Sequence, residues 1–406
     1  PIVLKMEVLY LVAFTLFAII RSLNPDLWQP WNGGEKMMEY AFFNATMKSP
    51  TFPPYDPYFA GGTINYYYYG LYLVGLFTKM SFVQGDIGYN LGFPLLFALA
   101  TSGLLSIGTT LSANKTRSIK VGLIAVVFVL VIGNLESIIM LLEQVNNWPA
   151  FRFDFWRPSR VIPFTINEFP FWSFLFADLH PHLIDIPVVI CSIGLGWELY
   201  SRPRWITLGM TTFVIGNIAA INTWDAPAFF GLTLGLYFLR SALDEFSKME
   251  RGGRGIRQIW IWGLMVLPIL AIPFLFFKSY FSNFAVLYSG LEFNTIFSPF
   301  LGWIKIWGFF IFLSICFVIF VRKILIHQQA QYVAWLMFLA FGILGGIEIF
   351  HLKDFLAGGE YQRMNTVFKF GIQAWVLLGL ATATSLPWVL AQINQCHPIL
   401  RGLWKG

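Results

Sequence analysis

Glu35 and Glu39 stand four residues apart in "NGGEKMMEYAFFNATMKSPTFPPYDPYFAGG" (32–62). Gly33 and Gly34 can start a short helix that ends before Pro50, and on such a helix the two carboxylates share a face. A like-charged pair at that spacing costs a few tenths of a kcal/mol. Something must therefore hold it: a metal ion, a cationic partner or a task in acid–base chemistry. Asp56, in "PPYDP", would be presented at a fixed point by a rigid turn. The competing interpretation is a solvated amphipathic helix lying on a membrane surface.

A second group lies in "INEFPFWSFLFADLHPHLIDIP" (166–187), where Glu168, Asp178, His180, His182 and Asp185 interrupt an apolar, aromatic run. A charged side chain at membrane depth costs at least about 2.5–3.5 kcal/mol, so this segment must line a cavity or bind something. Pro181 disfavours helix at His180, which places the two imidazoles on an irregular turn. Asp178, His180 and His182 can serve as metal ligands, as donors to a phosphate or sugar, or as hydrogen-bonded structural groups.

A third group is "EYQRMNTVFKFGIQAW" (360–375). Asn365, Lys369 and Gln373, at i, i+4 and i+8, make one polar stripe on the start of a spanning helix, with Arg363 just before it. Two cations at a helix mouth suit a phosphate or pyrophosphate, Arg giving the forked contact. Alternatively they pair with Glu348, Asp354 or Glu360. "INTWDAP" (221–227) adds Asn222, Trp224 and Asp225 at a turn, where Asp225 reads as a helix cap.

Apolar helices must carry these groups. The chain of 406 residues is 57% hydrophobic, 18% aromatic and 12% charged, against about 25% charged in soluble proteins. Runs such as "VGLIAVVFVLVIG" (121–133) and "IWGFFIFLSICFVIFV" (306–321) recur throughout. An all-α, polytopic membrane bundle follows, because backbone polar groups in lipid must be satisfied within helices. About eleven spans are predicted, near 5–22, 66–82, 87–111, 119–141, 183–200, 205–221, 225–243, 258–279, 301–321, 331–349 and 367–390, forming one transmembrane domain.

The net charge of +6 reads as membrane orientation rather than nucleic-acid binding, since basic residues fall in short loops. Those loops place 350–366, the 222–225 turn and the end of 143–182 on the outer side. If the acidic loop 23–65 is outer as well, parity puts "NKTRSIK" (114–120) outside, against the rule. Either 163–182 holds an extra or re-entrant piece, or one span between 66 and 111 does not cross. The three cysteines are dispersed and show neither a disulfide framework nor a CxxC site. The start at Pro1 is expected to be an internal point of a longer polypeptide.

"GGTINYYYYGLYLVGLF" (61–77) puts Tyr66, Tyr67, Tyr68 and Tyr69 at the mouth of an apolar segment. Tyrosines anchor helices at membrane surfaces; phenols also hold sugars and phosphates. Consecutive helical residues lie about 100° apart, so one or two of them, with Asn65 and Tyr72, are expected to line a cavity while the rest anchor.

Together, "EKMMEYAFFNA", "FPPYDPYFAGGTINYYYYG", "EFPFWSFLFADLHPH" and "RMNTVFKFGIQAW" resemble an uncharacterised family of prokaryotic membrane proteins with a tyrosine-run motif, known in archaea and Chloroflexus relatives and DUF2298-like. Members tend to carry further spans upstream. The layout is similar to the GT-C superfamily of membrane glycosyltransferases, whose long outer loop carries an acidic motif and short surface helices. This resemblance implies sugar transfer from a polyprenyl-phosphate donor to an unknown acceptor at the outer face of the cytoplasmic membrane. Glu35, then Glu39, would be the base, with Asp56 completing the catalytic set. Lys36, Tyr68, Tyr69, Tyr72, Asp178, His180, His182, Asn222, Asp225, Arg363, Asn365, Lys369 and Gln373 would bind substrate. The glutamates are spaced rather than adjacent as the superfamily's acids often are. Two alternatives use the same residues: a lipid or anion transporter, and a metal-dependent hydrolase centred on Asp178, His180 and His182.

Overall fold

A computed structural model describes residues 2–27, 34–112, 118–145, 154–249, 271–286 and 288–395. In chain order the main elements are α1 (Ile2–Leu23), α2 (Lys36–Lys48), α3 (Tyr68–Met80), α4 (Gly85–Leu111), α5 (Ser118–Leu130), α6 (Leu135–Val145), α7 (Pro170–Phe176), α8 (Pro181–Ser201), α9 (Trp205–Ile221), α10 (Ala226–Met249), β1 (Leu291–Phe293), α11 (Phe300–Ile319), α12 (Gln328–Ile349), β2 (Phe350–Leu352) and α13 (Met364–Ile393). The helical expectation holds. The strands form one antiparallel ribbon, Leu291 opposite Leu352 and Phe293 opposite Phe350.

Six helices among the described residues are long and apolar enough to cross a bilayer: Val3–Leu23, Gly85–Leu111, Pro181–Ser201, Phe300–Ile319, Gln328–Ile349 and Met364–Ile393. α5 and α6 make a seventh only if a pair bent by 72° counts as one span. The described residues thus account for six or seven of the eleven expected spans. The run at 66–82 yields the 13-residue α3, about 20 Å long against a hydrocarbon core of about 30 Å. The run at 119–141 breaks because Asn134 caps α6, its Oδ1 accepting from the Ser137 amide at 3.2 Å. α9, with 17 residues, is also short, and most of 258–279 lies outside the described residues.

The chain divides into two compact units, Pro1–Gly103 with Phe174–Val286 and Leu104–Ser173 with Leu287–Gly406. In the first, α3 packs on α2, α8 and α9, and α8 on α9 and α10. Phe17, Phe97 and Phe174 form an aromatic knot, with Phe17 stacked on Phe97 at 4.6 Å.

In the second unit α13 is apolar nearly all round and is buried against α5, α11 and α12. Its Trp375 is 2% exposed, stacked on Phe169 and edge-on to Phe310. α4 and α5 touch through facing glycines. A Cβ on Gly122 would lie 2.6 Å from the Leu105 carbonyl oxygen, and one on Gly108 2.8 Å from the Gly122 Cα. Small residues permit such close backbone approach between apolar helices. Gly122→Ala is thus expected to destabilise by about 1–3 kcal/mol. Gly345→Ala on α12, where a Cβ meets open space, should leave stability unchanged or raised. Thermal unfolding of the two variants side by side checks this, and equal shifts would contradict it.

Candidate functional site

In the first unit the start of α2 is pinned to the turn between α7 and α8. Gly34 comes so close to this turn that an added Cβ would meet Phe176 Cζ at 2.9 Å. The next residue, Glu35, stands at the N-cap of α2, and its amide donates to Asp178 Oδ2 at 3.1 Å. Ala177 ends α7 with φ +56, a left-handed conformation that costs a residue other than glycine about 1–2 kcal/mol. The Leu179 amide donates to the Tyr89 hydroxyl at 3.2 Å. His180 is extended (φ −79, ψ 150) just before Pro181, the first residue of α8, as the pre-proline restriction requires. His182 is already helical, so the irregular turn carries His180 while His182 leaves the first turn of α8.

This anchoring aims His180 at both glutamates. Its Nδ1 lies 3.3 Å from Glu35 Oε2 and 3.1 Å from Glu39 Oε1. The Tyr66 hydroxyl donates to Glu39 Oε1 at 3.0 Å and sits 3.4 Å from the same imidazole nitrogen. Glu39 is fully buried, whereas the Glu35 side chain is 51% exposed. One carboxylate thus faces solvent while the other anchors the cluster from behind. The imidazole thus stands between the two glutamates, in contact with both through one nitrogen.

Two more groups complete the surroundings. Lys36 is 2% exposed, with its ammonium 4.8 Å over the Phe176 ring. Its pKa is lowered to about 8, by burial first and then by the Arg21 charge, while Asp178 and Asp26 pull upward. The Tyr66 phenol is held well above its ordinary value, by burial first and then by the charges of Glu39 and Glu35. It stays a proton donor at neutral pH.

Among the described residues, Glu35, Glu39 and His180 offer ligand-type atoms that all lie within 4.8 Å of one another. This convergent set differs from the expected Asp178, His180 and His182. Asp178 instead receives the Glu35 amide, and His182 packs ring to ring with His180 at 4.9 Å.

Within the tyrosine run it is Tyr66, at a bend just ahead of α3, that reaches the acids. Tyr68 packs on Phe52 and Tyr280, Tyr69 donates to Asn217 Oδ1 at 3.1 Å, and Tyr72 meets Phe52 edge-on. Asn65 ties the backbone of Ala285 through both its amide atoms. Asp56 accepts the Tyr58 amide at 2.8 Å and so shapes its own turn. Asn222 and Asp225 are buried between α9 and α10, with Asp225 close to Asp185 of α8.

A feature without a sequence signal is a cleft of about 480 Å³ along α1 and α4, lined by Arg21, Asp86 and Asn90 among apolar residues. Arg21 donates to Asn90 Oδ1 at 2.7 Å and lies 5.3 Å from the centre of the Phe93 ring.

The third group belongs to the second unit, as does Glu168, which accepts from Ser173 at 3.0 Å. Arg363 is 4% exposed and holds Glu348 Oε2 at 2.8 Å, the Ile296 carbonyl at 2.8 Å and the Ile347 carbonyl at 3.0 Å. Asn365 donates to Asp354 Oδ2 at 2.7 Å. Lys369 and Gln373 are buried on α13, with the Lys369 ammonium over the Phe368 ring. Pairing with Glu348, the alternative weighed for Arg363, is what the structure contains.

Comparison with curated proteins and with solved structures finds no match. A family model described as an uncharacterized membrane protein family does match, over residues 1–327 and 317–378. With its apolar spans and with the glutamate, tyrosine-run and histidine motifs converging in one unit, the chain belongs to the DUF2298 family of membrane proteins.

Proposed function

We propose that the protein is a membrane glycosyltransferase that moves a sugar from a polyprenyl-phosphate donor to a hydroxyl acceptor at the outer face of the cytoplasmic membrane. The observation that carries this reading is the half-exposed Glu35 carboxylate, set beside His180 with buried Glu39 and Tyr66 behind it. Such a carboxylate can take the proton of an acceptor hydroxyl as general base. The acceptor oxygen then bonds to the anomeric carbon, and the sugar–phosphate bond breaks with its electron pair leaving on the lipid phosphate. Glu39 and Tyr66 orient His180, which in turn fixes Glu35. Lys36, in its charged form, supplies positive charge near the leaving group. Arg363 is assigned to the fold, because its guanidinium is taken up by Glu348 and two carbonyls.

Membranes containing the protein, given radiolabelled polyprenyl-phosphate hexose, should pass label to a product no longer bound to the lipid phosphate. Glu35→Gln should slow this about 10²-fold, the lower end of what a positioned base contributes. Equal product from wild type and variant would reject the assigned base. Movement of intact labelled donor across the bilayer, with no product, would favour a transporter.

A further inference from the structure

We propose that Glu35, Glu39 and His180 form a binding site for one divalent transition cation of the Mn²⁺ or Zn²⁺ class. This deepens the transferase reading by naming its cofactor and rests on the same site. Ligands about 2.0–2.2 Å from an ion lie about 3.0–3.6 Å from their nearest neighbours. The imidazole nitrogen already stands 3.1 and 3.3 Å from the two carboxylate oxygens. A neutral imidazole and two carboxylates carry two negative charges, one of them on fully buried Glu39, and a dication held between the three ligand atoms offsets both.

The surroundings are those of a held ligand set. Tyr66 donates to Glu39, and the Glu35 amide is fastened by Asp178; outer partners of this kind orient metal ligands. Mixed nitrogen and oxygen donors without thiolate suit Mn²⁺ or Zn²⁺ better than copper(I) or calcium. Three protein ligands with a solvent-facing side leave a position open, the pattern of catalytic rather than structural sites. Glu35 binds the ion through one oxygen and keeps the other for the acceptor proton. The open position takes a phosphate oxygen of the donor.

Binding of Mn²⁺ to the purified, chelator-stripped full chain in detergent tests this without any sugar donor. One equivalent should bind to wild type and to Glu292→Gln, a control on the exposed ribbon of the second unit. Glu35→Gln and His180→Gln should each weaken it tenfold or more. Glu35 is half exposed, so its variant reports even if the His180 variant fails to fold. Absence of stoichiometric binding, with Mn²⁺ or with Zn²⁺, overturns the proposal. So does equal affinity in wild type and Glu35→Gln, which would put the ion elsewhere. Bound metal without transfer of label would instead sink the transferase reading alone, and transfer by metal-free protein would sink the cation site alone.

Discussion

His180→Ala is expected to lower stability by about 3 kcal/mol, the upper end of what leaving a buried acceptor without its partner costs. The substitution leaves Glu39 fully buried with the Tyr66 hydroxyl, and faces it with Glu35 one turn away. Much of the loss should come from the stranded carboxylate rather than from missing contacts of the ring. The double variant His180→Ala, Glu39→Gln should therefore recover a good part of it, with a coupling of about 1–3 kcal/mol in the cycle. Unfolding of the four proteins in detergent, followed by tryptophan fluorescence, gives the cycle directly. Additive effects would mean that the imidazole does not compensate Glu39, and the orienting role assigned to the pair would fall with it.

Arg363→Met should cost a similar amount, about 3–5 kcal/mol, in the second unit. There the guanidinium joins Glu348, the Ile296 carbonyl and the Ile347 carbonyl, and so ties the ends of α12 and α13 to the segment after β1. Glu348 also accepts from the Ser298 hydroxyl at 2.6 Å and from its amide at 3.0 Å, so the pair sits inside a wider network. Arg363→Lys should rescue little, because one ammonium cannot reproduce a planar fork aimed at three acceptors. Limited proteolysis and thermal unfolding of both variants measure the effect. A variant that unfolds like wild type yet fails to turn over would return Arg363 to the phosphate-binding role that its position at a helix mouth suggests.

Several parts of the site are local and were legible. Four-residue spacing puts Glu35 and Glu39 on one face of any helix, and a preceding extended residue is what Pro181 demands of His180. The i, i+4, i+8 stripe of Asn365, Lys369 and Gln373 lies on α13 as periodicity requires. Tyr66 was not legible for a definite reason. Helical-wheel reasoning treats the tyrosine run as one helix, but α3 begins at Tyr68, so Tyr66 follows loop geometry. Periodicity also ran α5 and α6 together, since the cap at Asn134 is a side-chain contact within an apolar run.

Composition and periodicity by themselves determined that this chain is a helical membrane protein and which short stretches carry its polar groups, because lipid forbids unpaired backbone and makes isolated charges costly. Only the tertiary structure decided which of those groups meet. His180 joins acids more than 140 positions earlier in the chain, while Arg363 turns to Glu348 within its own unit. Contacts across such separations depend on how helices pack and where turns are tied, and a run of residues read in order holds no measure of that distance.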